Sequence, residues 1–185
     1  ERVPPSVCVI LDEAYREFAV LEDPDATVDL LERHPNLVLL RTFSKVYGLA
    51  GLRVGYGLCG SEAFRTAVDQ VRQPFFANVA AQAAALEALR HQDEVARRVE
   101  QTIAARLELE DGLRTLGLDP ADSQANFVWF ALPEGAEEAT VVRSLGERKV
   151  LVRAGTSLGR AGCLRVTCGT PEENGRFLAA LREAL

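Results

Sequence analysis

Only two of the 21 basic side chains in this 185-residue chain are lysines, Lys45 and Lys149; the rest are arginines. Arginine keeps its proton at any working pH, whereas a lysine that is desolvated or set beside another cation can lose it and attack a carbonyl to form an imine. Lys45 stands in Arg41-Thr42-Phe43-Ser44-Lys45-Val46-Tyr47-Gly48-Leu49-Ala50-Gly51-Leu52-Arg53, a polar, glycine-punctuated stretch directly after the apolar run Leu37 to Leu40. Asp12 and, three residues later, Tyr15 follow a second apolar run, Val7 to Leu11. An amine, a carboxylate and a phenol are the groups that imine chemistry with proton transfer needs.

Both apolar runs read as strands of the buried, parallel kind, at 7–11 and 37–41. A short helix expected at 27–34, stopped by His34-Pro35-Asn36, makes 7–41 a strand, helix, strand crossover. In α/β sheets the loops beyond the carboxyl ends of the strands collect functional groups, so Asp12, Tyr15 and Lys45 are expected in one crevice. A third strand is expected at 54–59 and helices at 62–72 and 78–90, with Gln73-Pro74 breaking the chain between them. At 93–116 the residues Val95, Val99, Ile103, Leu107, Leu113 and Leu116 mark one face of a long helix that Gly117 ends. Beyond it, strands at 126–130, 150–152 and 164–168 alternate with helices at 138–147 and 172–184, a small α+β unit. The expected division is therefore an α/β part at 1–92 and a second domain at 93–185.

The composition, 48% hydrophobic and 26% charged, is that of a globular protein. Net charge of −6 with scattered arginines argues against a nucleic-acid surface. No apolar stretch approaches the roughly 20 residues of a membrane span. Cys8, Cys59, Cys163 and Cys168 show no C-x-x-C spacing, and His34 and His91 are the only histidines, so no metal site is expected and the thiols read as reduced, mostly buried and cytoplasmic. The chain has no methionine and starts almost at once on a core strand, which suggests the C-terminal part of a larger protein.

Pyridoxal phosphate matches the reactive set. It needs a lysine to hold it, an acid facing its pyridine nitrogen and groups that bind its phosphate. Asp12 is the candidate acid, and Tyr15 can donate to the ring's phenolic oxygen. Thr42, Ser44 and Arg53 can hold the phosphate through two hydroxyls and a bidentate guanidinium. Gly48 and Gly51 let the chain turn back between Lys45 and Arg53.

Leu11-Asp12-Glu13-Ala14-Tyr15-Arg16-Glu17-Phe18, with the Arg41 to Arg53 stretch continuing into Val54-Gly55-Tyr56, resembles the pyridoxal-phosphate aminotransferases of fold type I. Within them it is most similar to the histidinol-phosphate aminotransferases and the related aromatic amino-acid aminotransferases. Ser123-Gln124-Ala125-Asn126-Phe127-Val128 and Leu164-Arg165-Val166-Thr167-Cys168-Gly169-Thr170-Pro171 extend the resemblance over nearly the whole chain. It implies that Lys45 anchors the cofactor and shuttles the proton, with Asp12, Tyr15, Ser44, Arg53 and Thr42 as its other contacts. Arg165 matches the arginine that grips the donor's α-carboxylate, and Arg153 lies near the position that reaches a distal anionic group. It further implies an α/β fold in which three strands, the third antiparallel, belong to a larger sheet, followed by the small domain. The intact enzyme would be a cytoplasmic homodimer taking a small-molecule amino donor and a 2-oxo acid, with the 185 residues alone inactive. The activity so implied is transamination between glutamate/2-oxoglutarate and an imidazole or aromatic substrate, histidinol phosphate first and phenylalanine as the alternative. A decarboxylase of a phosphorylated amino acid and a catalytically inactive interaction domain on the same scaffold are the remaining alternatives.

Overall fold

The computed structural model describes residues 3–21, 23 and 25–185, so Glu1 and Arg2 of the polar lead-in lie outside the described residues. By internal packing the chain divides into two compact units, Glu1–Arg98 and Val99–Leu185, and the division falls inside one long helix.

In the first unit the two apolar runs form β1 (Val9–Asp12) and β2 (Leu37–Thr42), parallel neighbours with Asp12 beside Leu40. The crossover between them carries α1 (Val28–Arg33). β3 (Gly55–Cys59) pairs antiparallel to β2 with Gly55 opposite Thr42, so the order is β1-β2-β3 and the third strand runs as expected. Leu37, Val38 and Leu39 are buried on both faces of the central strand, as the continuous apolar run requires. Glycine is obligatory at Gly55, because a Cβ there would lie 2.7 Å from the Arg41 carbonyl oxygen. α2 (Glu62–Val71) and α3 (Val79–Ala88) follow; Ser61 and Asn78 accept the Phe64 and Ala81 amides and so cap their first turns.

α4 (Gln92–Thr115) runs from the first unit into the second. Its buried stripe is Ala105, Arg106, Leu109, Glu110 and Leu113. Leu107, expected to face inward, is 53% exposed. It stands two residues from both Ala105 and Leu109, about 200° around the helix.

The second unit holds β4 (Phe127–Ala131), α5 (Glu138–Glu147), β5 (Arg153–Ala154), β6 (Cys163–Thr167) and α6 (Pro171–Ala184). The sheet is antiparallel in the order β4-β6-β5. Val128, Phe130, Leu164 and Val166 point to one face and pack with Leu109, Leu113, Val141, Leu145, Phe177 and Leu181 into a continuous core. α6 begins with a capping box in which Thr170 and Glu173 satisfy each other's amides.

Two further expectations need correction. The strand expected at 150–152 forms instead at Arg153–Ala154, because the Val150 amide donates to Leu145 O (2.9 Å) and is spent closing the end of α5 behind Lys149, whose φ is +59°. Of the four free thiols only Cys163 is buried; Cys59 and Cys168 are half-buried and Cys8 is exposed. Among the described residues no helix is long and apolar enough to cross a membrane, and no group of His, Cys, Asp and Glu could hold a metal ion.

Candidate active site

Asp12 ends β1, Thr42 ends β2, and Arg53 stands two residues before β3, which runs the other way. All three therefore emerge at one edge of the first sheet. Asp12 is exposed, and its Oδ1 accepts the Ala14 amide at 3.1 Å, which turns the chain toward Tyr15. Tyr15 is half-buried at the start of a 3-10 turn, Arg16–Phe18, whose Phe18 is buried and anchors it.

The loop after β2 is held by its own backbone. The Phe43 amide donates to Val54 O (3.2 Å), Leu49 to Phe43 O (2.9 Å) and Gly48 to Lys45 O (2.9 Å). Gly48 has φ +73°, the left-handed conformation that lets the chain reverse behind Lys45. Arg98 donates to Val46 O at 3.1 Å and so ties α4 to this loop. The result is a half-buried Lys45 whose Nζ lies 4.9 Å from the centroid of the Tyr15 ring. Among the described residues no carboxylate pairs with that amine. Thr42 Oγ1 accepts the Ser44 amide at 3.1 Å, which brings the two hydroxyls to the same turn. Arg53 is exposed with φ +55°, and its guanidinium donates to Ala50 O at 2.8 Å.

Behind this edge lies an ionic cluster that the motifs do not mark. Arg41 Nε donates to Glu13 Oε2 at 2.9 Å, with both side chains almost fully buried. Thr27 donates its hydroxyl to Glu13 Oε1, and Arg16 and Arg41 both reach Asp25. Burial works against the Arg41 charge, but the bonds from Glu13 and Tyr56 outweigh it and hold the guanidinium above its ordinary range. Burial raises the neighbouring Glu17 carboxyl. One signal for the cluster was present in the sequence: Arg41 is a charged residue ending an apolar strand, where a side chain is buried only if paired.

In the second unit Arg165 on β6 stands directly opposite Arg153 on β5 and Trp129 on β4. Opposite residues of an antiparallel pair share a face, so two arginine side chains leave the sheet on the same side, and like charges so placed cost energy unless an anion joins them. Arg165 stacks over Phe127, 4.8 Å from the ring centroid. Among the described residues neither arginine is ion-paired. The backbone around them is fixed by a second buried polar group absent from the expected set. Arg106 donates to Ala125 O (3.0 Å), and Asn174 bridges Ala105 O (3.3 Å) and the Gly169 amide (2.9 Å). Burial pushes the adjacent Cys168 thiol up to about 11, against the pull of Arg106. Thus six of the expected residues, Asp12, Tyr15, Thr42, Ser44, Lys45 and Arg53, share one edge of the first sheet, and Arg153 and Arg165 form a pair in the second.

Comparison with known proteins gives a family model, aminotransferase class I and II, that matches residues 4–181. Histidinol-phosphate aminotransferase of Bacillus subtilis is 44% identical over 185 residues, all of this chain and 51% of that protein. The solved histidinol-phosphate aminotransferase of Sinorhizobium meliloti, in complex with pyridoxal-5'-phosphate, superposes with TM-score 0.86 at 30% identity over 98% of this chain and 50% of that one. L-threonine-O-3-phosphate decarboxylase of Porphyromonas gingivalis superposes with TM-score 0.84 at 26% identity, over 97% of this chain and 55% of that one. The chain spans about half the length of the curated relatives it matches.

Proposed function

Because the chain belongs to the class I and II aminotransferases, we propose that it supplies the lysine-bearing part of a pyridoxal-phosphate enzyme that transaminates histidinol phosphate against 2-oxoglutarate. The observation that carries this reading is the Lys45 amine lying against the Tyr15 ring at the sheet edge where Asp12 ends its strand. The donor set fits the cofactor: an amine that pairs with no carboxylate among the described residues, an exposed carboxylate, a phenol, two hydroxyls on one turn and a guanidinium held by a left-handed backbone.

Pyridoxal phosphate, when bound, supplies an aldehyde for the amine and a ring that withdraws electrons from the substrate's α-carbon. Lys45 would hold the group through its amine and, with that amine free, would take the proton from the substrate's α-carbon and return it. Asp12 would keep a positive charge on the ring nitrogen, and Tyr15 would donate to the phenolic oxygen. Thr42, Ser44 and Arg53 would bind the phosphate. Arg165 would grip the α-carboxylate of the amino donor and Arg153 would reach the substrate's distal anionic group. Two arginines opposite each other on one sheet face suit a phosphate dianion or the two carboxylates of glutamate better than a single carboxylate, which supports histidinol phosphate over phenylalanine. The 44% identity to the Bacillus subtilis enzyme supports the same choice. Four free thiols support a reducing, cytoplasmic setting, and the family supports a homodimer.

Aromatic amino-acid transamination is the second reading, favoured by Trp129 beside Arg165. Steady-state rates of the full-length enzyme with each amino donor decide between them. Histidinol phosphate is expected to give the higher kcat/KM; a preference of about 100-fold for phenylalanine, roughly 2.7 kcal/mol in transition-state binding, would exclude it. Release of carbon dioxide would point instead to a decarboxylase.

A further inference from the structure

We infer that Glu13 and Arg41 form the positioning pair that fixes the acid-bearing turn and the lysine-bearing loop relative to each other, an inference that rests on the aminotransferase reading above. The backbone ladder between β1 and β2 ends where the Glu13 amide donates to Leu40 O at 2.8 Å. One step further on, the side chains take over: Arg41 Nε donates to Glu13 Oε2 at 2.9 Å, with the two side chains 7% and 10% exposed. Strand alternation sets Glu13 and Arg41 on the face opposite Asp12 and Leu40, so the pair closes the two strand ends from behind. Asp12 is the residue before Glu13, and Lys45 lies four residues after Arg41.

The pair is poorly built as a stabiliser and well built as a locator. Among the described residues Arg41 Nη2 is buried without a hydrogen-bond partner, and its Nη1 reaches the largely exposed Asp25 at 3.4 Å. A buried ion pair left partly unsatisfied contributes little net stability, and packed apolar residues would serve as well or better. What apolar residues lack is direction. Glu13 has one oxygen on Arg41 and the other on the Thr27 hydroxyl, so it is held from both sides. The charged and titratable groups facing the pair are Arg16, Glu17 and Asp25 from the turn after β1 and Tyr56 from β3.

The test uses the full-length enzyme with pyridoxal phosphate, and the variants Glu13→Gln, Arg41→Gln and Arg41→Lys. Misplacement of the acid against the amine predicts that Arg41→Gln lowers kcat about 10-fold or more while KM for the amino donor stays within about 3-fold. The pH midpoint of the Lys45-dependent visible absorption should move in both Gln variants. In the cofactor-free protein the rate of Lys45 alkylation relative to Lys149, read by peptide mass spectrometry, should change as well. Arg41→Lys, which keeps the charge without the planar fork, should recover only part of each, and it carries the same readouts if Arg41→Gln does not fold. A lower melting temperature with parental kcat, absorption midpoint and labelling ratio would reduce the pair to plain structure and overturn the inference. A parent enzyme with no Lys45-dependent absorption would overturn the aminotransferase reading itself, and the inference with it.

Discussion

Arg53 holds a left-handed backbone, φ +55° and ψ +54°, which glycine adopts far more readily than any residue with a Cβ. Its exposed side chain gains only a bond to Ala50 O from that position, so packing does not account for arginine there. The proposed phosphate ligand would. Arg53→Gly is therefore expected to leave the melting temperature unchanged or raise it, by up to about 1 kcal/mol of relieved strain, while weakening pyridoxal-phosphate affinity about 10-fold or more. Calorimetry of the cofactor-free protein and a spectroscopic titration check the two halves separately. A loss of both stability and affinity would mean that the guanidinium is structural. Lys45, on the same loop, does not have the left-handed backbone of Arg53, and the reversal behind it falls on Gly48, where φ +73° carries no penalty.

Glu138, at the start of α5, fastens the loop between β5 and β6 by accepting the Thr156 amide at 3.1 Å and the Gly162 amide at 2.7 Å. Desolvation opposes its charge, but these amide bonds prevail and hold the carboxyl below its ordinary pKa of 4.5. A carboxyl depressed in the folded state contributes stability above its unfolded pKa and loses it as pH falls through the lower, folded value. Glu138→Gln should therefore lower the melting temperature at pH 7, and the gap to the parent should close as pH falls below about 4.5. A gap constant from pH 7 to 3 would show that the carboxylate is not the fastener. This loop also explains a limit of the sequence reading. The apolar run Val150 to Val152 looks like a strand, but tertiary bonds decide: helix closure takes the Val150 amide, and the pairing edge moves to Arg153 and Ala154. Where period and caps agree, as at Thr170-Pro171 with Glu173 or along Leu37 to Leu39, the elements were legible.

Across the molecule, the legible part of the site was the part written as short motifs on one sheet edge: Asp12, Tyr15, Thr42, Ser44, Lys45 and Arg53. The buried polar groups were not. Glu13 and Arg41, 28 positions apart, meet only through strand register, and within the second unit Asn174 reaches Ala105 O across 69 positions while Arg106 reaches Ala125 O across 19. The cross-strand pairing of Arg153 with Arg165 was hidden for the same reason, since it depends on where β5 actually forms. The central claim remains the covalent role of Lys45, and the composition makes it easy to test, because Lys149 is the only other lysine in these 185 residues. The protein is incubated with pyridoxal phosphate, reduced with borohydride and digested, and the phosphopyridoxyl group is located by mass spectrometry. The account predicts label on the Lys45 peptide and little on Lys149. Label on Lys149 alone, or equal label on both, would contradict it.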